Sequence, residues 1–283
     1  AVGAPEEVNN NTIGSTGNTL ADGAVYIYKQ AGSTWSLVQK LKTESVMFPN
    51  GNAATSSRFG GPWAHGTAFS FCEEYLAVGF SYYGVSVENS GAVAIYKREQ
   101  SGLYALEKFK FPEQEAKNQY YGNSVDLTKT SDDKIVLAVS KPQGESITAE
   151  VCLYERSVDN NTGEINWNKT NTFTPPISET RNKTRYGWHT EINNNNLIVS
   201  DPGDAGDAAG AQIGLVYHYE KRNGIWDVNP QAIFKSPVSA TGDRFGYFFS
   251  LNKTEQSYLV IGQTGQLDGA GSTNGNVITL NRP

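Results

Sequence analysis

No run of apolar residues approaches the roughly eighteen that a membrane-crossing helix needs, so no segment of this 283-residue chain is expected to insert directly into a bilayer. Helical periodicity is equally scarce. Cysteine occurs twice, at Cys72 and Cys152, which excludes a disulfide framework; the two lie in different parts of the chain and are expected as free, buried thiols. The three histidines, His65, His189 and His218, have no metal-ligand spacing, and the last two read as structural. No Gly-x-Gly-x-x-Gly, Walker or Gly-x-Ser-x-Gly pattern is present, which excludes the usual dinucleotide, phosphate-loop and nucleophile-elbow sites. Basic charge is short as well. A net charge of −6 and a pI near 5.2 argue against nucleic acid as a partner.

What the chain has is glycine (29) and tyrosine (15), the composition of short strands joined by many turns. It also has a repeat. Leu76-Ala77-Val78-Gly79 leads to Gly91-Ala92-Val93-Ala94-Ile95-Tyr96-Lys97. The same pair recurs as Ala1 to Pro5 with Gly23 to Lys29, Leu137 to Ser140 with Ala149 to Glu155, Leu197 to Ser200 with Gly214 to Glu220, and Leu259 to Gly262 with Gly275 to Leu280. The central valines Val25, Val93, Val151, Val216 and Val277 recur about every sixty residues, a period that decides the fold class.

Each repeat reads as four strands. The inner pair is almost continuously apolar, as for strands covered on both faces. An outer strand with one wet face follows, at Trp35 to Leu41, Leu103 to Phe109, Ile165 onward and Ile225 to Val228. A further strand opens each new repeat with an aromatic-glycine pair: Tyr121-Gly122, Tyr186-Gly187 and Phe245-Gly246, the last two preceded by Arg185 and Arg244. In the second repeat either Arg58-Phe59-Gly60 or His65-Gly66 takes this place. Repeat units fall at about 1–58, 59–120, 121–185, 186–244 and 245–283, within a single domain.

Aromatic-Gly, then Leu-Ala-Val-Gly-Ala-Pro-like, then Gly-Ala-Val-Tyr-Ile-Tyr-like segments resemble the FG-GAP repeat found in the β-propeller of integrin α subunits. The resemblance covers essentially the whole chain and is strongest over Ala1 to Lys29. It implies an all-β β-propeller of four-stranded antiparallel blades. Five are recognisable, the first and last incomplete, and they either close a ring themselves or form part of a larger one. The incomplete ends suggest a piece of a longer polypeptide, with sheet edges that a neighbouring chain could fill.

The resemblance also raises calcium, but the loops that would carry it lack alternating carboxylates, so no cofactor is expected. Asp201, Asp204 and Asp207 form one acidic cluster, a weak metal candidate beside the reading as a glycine-rich turn. Long connections gather on one face, where Trp63, Tyr82, Tyr83 and Trp188 are ligand-binding candidates. Asn10, Asn160, Asn168, Asn182 and Asn252 head glycosylation signals in expected loops or strand ends, which points to an extracellular or cell-surface address.

The expected function is accordingly a non-catalytic recognition or adhesion module, not an enzyme, binding a protein partner or another subunit of an extracellular assembly. A lectin binding glycan is the first alternative. The second is a carbohydrate-active enzyme using Asp126 and Glu191, which equivalent positions of the opening strands place on neighbouring strands; Ser250, and Ser70 in one register, are their counterparts. Beside that stands a structural reading, in which both carboxylates bond within the inner turns or meet Arg185 and Arg244.

Overall fold

The computed structural model describes residues 1–4, 8–13, 19–21, 23–42, 68–84, 87–142, 148–176, 185–203, 214–236, 244–252, 258–267 and 273–281. They fall into two compact units, one over Ala1–Val125 and the other from Asp126 onward. Among the described residues no helix is long and apolar enough to cross a membrane.

In the first unit, β1 (Val2–Ala4) is followed by the hairpin of β2 (Val8–Ile13) and β3 (Thr19–Ala21), then by β4 (Ala24–Ala31) and β5 (Thr34–Lys42); β1, β4 and β5 form one antiparallel sheet. A four-stranded sheet follows, β6 (Phe69–Cys72), β7 (Tyr75–Phe80), β8 (Ala92–Arg98) and β9 (Tyr104–Lys110), in chain order. The next meander is β10 (Val125–Lys129), β11 (Ile135–Lys141), β12 (Glu150–Val158) and β13 (Ile165–Phe173). In the fourth sheet β14 (Thr190–Ile192), β15 (Asn196–Asp201) and β16 (Leu215–Arg222) are edged by two short pieces, β17 (Ile225–Trp226) and β18 (Ala232–Phe234). The fifth has β19 (Phe245–Leu251), β20 (Tyr258–Leu267) and β21 (Thr273–Asn281). The chain is therefore all-β, built of the antiparallel blades of a β-propeller, with three strands described in the first and last.

One register runs through all five sheets. The small residue that ends each apolar tetrapeptide of the repeat pairs with the central valine of the next strand: Gly3 with Val25, Gly79 with Val93, Ser140 with Val151, Ser200 with Val216 and Gly262 with Val277. The sequence repeat is thus a repeat of strand register, and a one-residue slip would turn every buried side chain outward. The inner strands β7 and β15 are buried along their whole length. The outer strand β5 departs from the expected alternation: Trp35 is 64% and Leu37 53% exposed, although the pattern would bury both, and only Leu41 near the strand's end is buried.

The outer strand of the fourth sheet departs from the expected continuous run at Ile225 to Val228. Asp227 Oδ1 accepts the Asn229 backbone N–H at 2.9 Å in a local turn, and Pro230, which has no N–H to offer a ladder, follows. Bonding to β16 resumes with the Gln231 N–H on the His218 carbonyl at 2.7 Å and continues along β18 from Ala232. The cysteines also differ from expectation in one respect: neither forms a disulfide and Cys152 is buried, but Cys72 is only half-buried. Burial, with Glu150 nearby, pushes the Cys152 thiol up to about 11, so it is a packing group at neutral pH.

Between β13, β15 and β16 the core is aromatic. Phe173 packs on Tyr219 and Trp226, and the buried Tyr186 hydroxyl donates to the Tyr219 hydroxyl at 2.8 Å. Burial pushes the Tyr219 phenol up to about 12, and those of Tyr186 and Tyr96 upward as well. In the unfolded chain these phenols ionise near pH 10. Above that pH the unfolded state holds fewer protons than the native one, so stability that is complete below pH 10 is lost as pH rises toward the folded values. Thermal melts should show the melting temperature falling steeply above pH 10, with tyrosinate absorbance for these side chains developing together with unfolding. A melting temperature flat to pH 12 would contradict the assignment.

Candidate functional site

The tetrapeptides Arg185-Tyr186-Gly187-Trp188 and Arg244-Phe245-Gly246-Tyr247 fold as the same β-turn. The Trp188 N–H donates to the Arg185 carbonyl at 2.9 Å and the Tyr247 N–H to the Arg244 carbonyl at 3.1 Å. Gly187 and Gly246 have φ of 84° and 80°, the value that a type II turn demands at its third position. Such a turn brings its first and fourth side chains together. The Arg185 guanidinium accordingly lies 5.1 Å from the Trp188 ring centroid, and that of Arg244 lies 5.9 Å from the Tyr247 ring. Trp188 and Tyr247 in turn contact each other at 5.5 Å, so the two turns are neighbours. Tyr120-Tyr121-Gly122-Asn123 makes the same turn without a cation, its Asn123 N–H donating to Tyr120 at 3.0 Å.

Downstream of these turns the opening strands carry the two carboxylates. Asp126 Oδ2, on β10, accepts the backbone N–H of Ile192 on β14 at 2.8 Å. Glu191 Oε2, on β14, accepts the backbone N–H of Leu251 on β19 at 2.7 Å. Each carboxylate therefore reaches from its own sheet to the opening strand of the next, and Asp126 lies against the residue beside Glu191. Both of these bonds are to main-chain amides, not to Arg185 or Arg244. The second oxygen of Glu191 faces His189 Nε2 at 3.4 Å, with side-chain exposures of 13% and 5%. The two side chains share a strand face because they are two residues apart.

The His189 ring stacks on Phe249 at 4.4 Å, and neither ring nitrogen has a hydrogen-bond partner. Its backbone is fixed by Ser200, whose Oγ accepts the His189 N–H at 3.1 Å and whose N–H donates to the His189 carbonyl at 3.0 Å. The site thus joins a buried imidazole, two carboxylates with one oxygen each committed to a backbone amide, and two aromatics in tilted contact under guanidinium groups. Sequence reasoning treated His189 as structural; its spacing of two from Glu191 was the available signal. The Arg-aromatic-Gly-aromatic pattern likewise announced the turns, although the arginines were read only as possible partners of the carboxylates.

The other candidates separate. Tyr82 is half-buried, its ring 5.1 Å from that of Tyr120. Tyr83 is buried against Phe111, and its carbonyl accepts the Gly91 N–H at 2.8 Å, so it supports a turn. Trp188 is buried between Arg185 and Tyr247, and Trp63 lies outside the described residues. Asp201 ends strand β15, not a turn; it is fully buried and its Oδ1 accepts the Arg185 N–H at 2.6 Å. Asp204 and Asp207 lie outside the described residues, among which no group of three or more His, Cys, Asp or Glu could hold a metal ion.

Of the glycosylation candidates, Asn160 is on an exposed turn and Asn252 follows β19, as expected of loops and strand ends. Asn10 is inside β2 and Asn168 inside β13, where Asn168 Nδ2 donates to Ser157 Oγ at 2.9 Å; Asn182 lies outside the described residues. His218 is structural, its Nε2 at 2.8 Å from Asn196 Oδ1.

No family model matches the chain, and no curated protein matches it. Among solved structures it is similar to the GH93 alpha-L-arabinofuranosidase of Fusarium graminearum, solved with arabinobiose, at 13% identity and a TM-score of 0.41. The alignment covers 79% of this chain and 65% of that one, so the chain spans less than two thirds of that enzyme. The expectation that the chain is not an enzyme is corrected by this finding, since the structure it resembles is a glycoside hydrolase. At this distance no residue role passes from one protein to the other.

Proposed function

We propose that the chain is a carbohydrate-active enzyme whose proton-transfer groups are Asp126 and Glu191. The observation that supports this is the pairing of the two carboxylates across neighbouring opening strands, with Asp126 bonded to the amide next to Glu191 and the free Glu191 oxygen facing buried His189. Glycosidic bond cleavage needs two carboxyl groups in separate environments, one to protonate the leaving oxygen and one to act as base or nucleophile. The amide bonds fix the orientation of both groups. His189 supplies Glu191 with an asymmetric neighbour, which differentiates its surroundings from those of Asp126.

The test is hydrolysis of a panel of 4-nitrophenyl glycosides, and of oligosaccharides followed by release of reducing ends, by the intact chain and by Glu191→Gln and Asp126→Asn. Hydrolysis that either substitution abolishes supports the reading. Absence of hydrolysis on the whole panel, or rates unchanged in both variants, overturns it.

A further inference from the structure

We infer that the paired turns at Arg185 and Arg244 bind the acidic group of an anionic sugar, a carboxylate or a sulfate ester; this names the substrate class of the site above and rests on that reading. Two cations stand on neighbouring turns here, each over one of two contacting rings, in a chain whose net charge is −6. Among the described residues neither guanidinium has a carboxylate partner. Asp201 Oδ1 takes the Arg185 backbone N–H and the arginine carbonyls take the turn N–H groups, so these bonds engage the main chain of the arginines and not their guanidinium groups.

The guanidinium groups are held by the rings beneath them. Arg185 lies over Trp188, Arg244 over Tyr247, and the two rings contact each other. A guanidinium lying on a ring keeps its in-plane N–H donors free, and those donors match the two oxygens of a carboxylate or sulfate in a fork. Arg185 is half-buried and Arg244 exposed, so both charges remain open to solvent while Trp188 and Tyr247 are buried.

Arg244 has φ of 47° and Tyr120, at the same position of its turn, 54°, so this left-handed backbone belongs to the turn itself. Buried rings also limit the alternatives: with Trp188 only 5% exposed, its face is not available for a neutral sugar to stack on. Charge, not stacking, is what this rim presents.

The experiment is calorimetric titration at low salt of the intact chain with oligogalacturonate, a heparin-derived oligosaccharide and a neutral malto-oligosaccharide. The same titrations are run on Arg185→Gln, Arg244→Gln, the double variant and Arg185→Lys. Anionic probes should bind in preference to the neutral one and weaken with added salt. Each Gln substitution should lower affinity about tenfold to a hundredfold, the worth of a charge-assisted hydrogen bond. Arg185→Lys should recover only part, since lysine restores the charge without the fork. Binding of the carboxylate probe alone, or of the sulfate probe alone, supports the inference and identifies the source. Equal binding of the neutral probe, or anionic binding that survives in the double variant, overturns it.

The two readings fail separately. Glu191-dependent hydrolysis of neutral glycosides without any anionic preference removes this inference and leaves the catalytic one. Arginine-dependent binding of an anionic oligosaccharide, with no glycoside or oligosaccharide cleaved, does the reverse. A melting temperature unchanged in the Gln variants shows that lost binding is not lost folding.

Discussion

Replacing Gly91 or Gly214 by alanine is expected to remove about 3–5 kcal/mol of folding stability, a large part of what a domain possesses. Both glycines stand at the entry to the third strand of their repeat, with φ of 83° and 77°. A Cβ built on Gly91 would land on the carbonyl oxygen of Tyr121, and one on Gly214 on that of Phe245. The obstacle is backbone, which cannot swing aside as a side chain can. Left-handed strain and steric overlap therefore add.

The third repeat supplies the control. It has Ala149 where the others have glycine, and at this point the next turn stands further off: a Cβ on Gly187 would be 3.1 Å from Ser140 Cβ and 3.2 Å from Val151 Cγ2, whereas one on Gly122 would be 2.6 Å from the Ala92 carbonyl oxygen. Ala149→Gly should cost only about 0.5–1 kcal/mol, from added backbone freedom. Denaturant titrations of the three variants measure this. A loss below about 1 kcal/mol at Gly214 would mean that the close approach to Phe245 is not what selects glycine.

Glu191→Gln is expected to slow glycoside hydrolysis by about a hundred- to ten-thousandfold while leaving the fold intact. A glutamine amide oxygen can still accept the Leu251 N–H, so the link to β19 survives and only the exchangeable proton is lost. Asp126→Asn keeps the Ile192 bond by the same argument and should lose rate comparably. Truncation behaves differently. Asp126→Ala leaves the Ile192 N–H buried without an acceptor, which costs about 1–3 kcal/mol in addition to any rate effect. Single-turnover rates together with denaturant midpoints separate the two roles. If the amide variants keep full rate and only the alanine variants suffer, the carboxylates are structural links alone.

The fold was largely legible. The valine spacing encodes a register that five sheets share, and strand identity followed from it without tertiary information. The break at Asp227 to Pro230 was written in the sequence too, but a short aromatic-apolar stretch at Ile225 outweighed it, because alternation cannot show where pairing stops. The candidate site was less legible. Trp188 and Tyr83 are aromatics near long connections, yet both are buried, because a turn's fourth side chain or a neighbouring strand's ring covers them. Periodicity gives the face of a strand; it does not give what the next sheet lays against that face. Asp201 illustrates the same limit, since its place at a strand end beside Arg185 depends on where β15 stops.

The bonds from Asp126 to Ile192 and from Glu191 to Leu251 have a consequence for how this part of the molecule opens. Each ties one opening strand to a backbone amide of the following sheet, so the third, fourth and fifth sheets are linked as nearest neighbours in a row. Energetics of that kind are those of a one-dimensional array, in which disruption begins at an end and spreads by one unit at a time. Amide protons should then exchange with deuterium in blocks, with the Ile192 and Leu251 amides reporting on the partner sheet that supplies their acceptor as much as on their own.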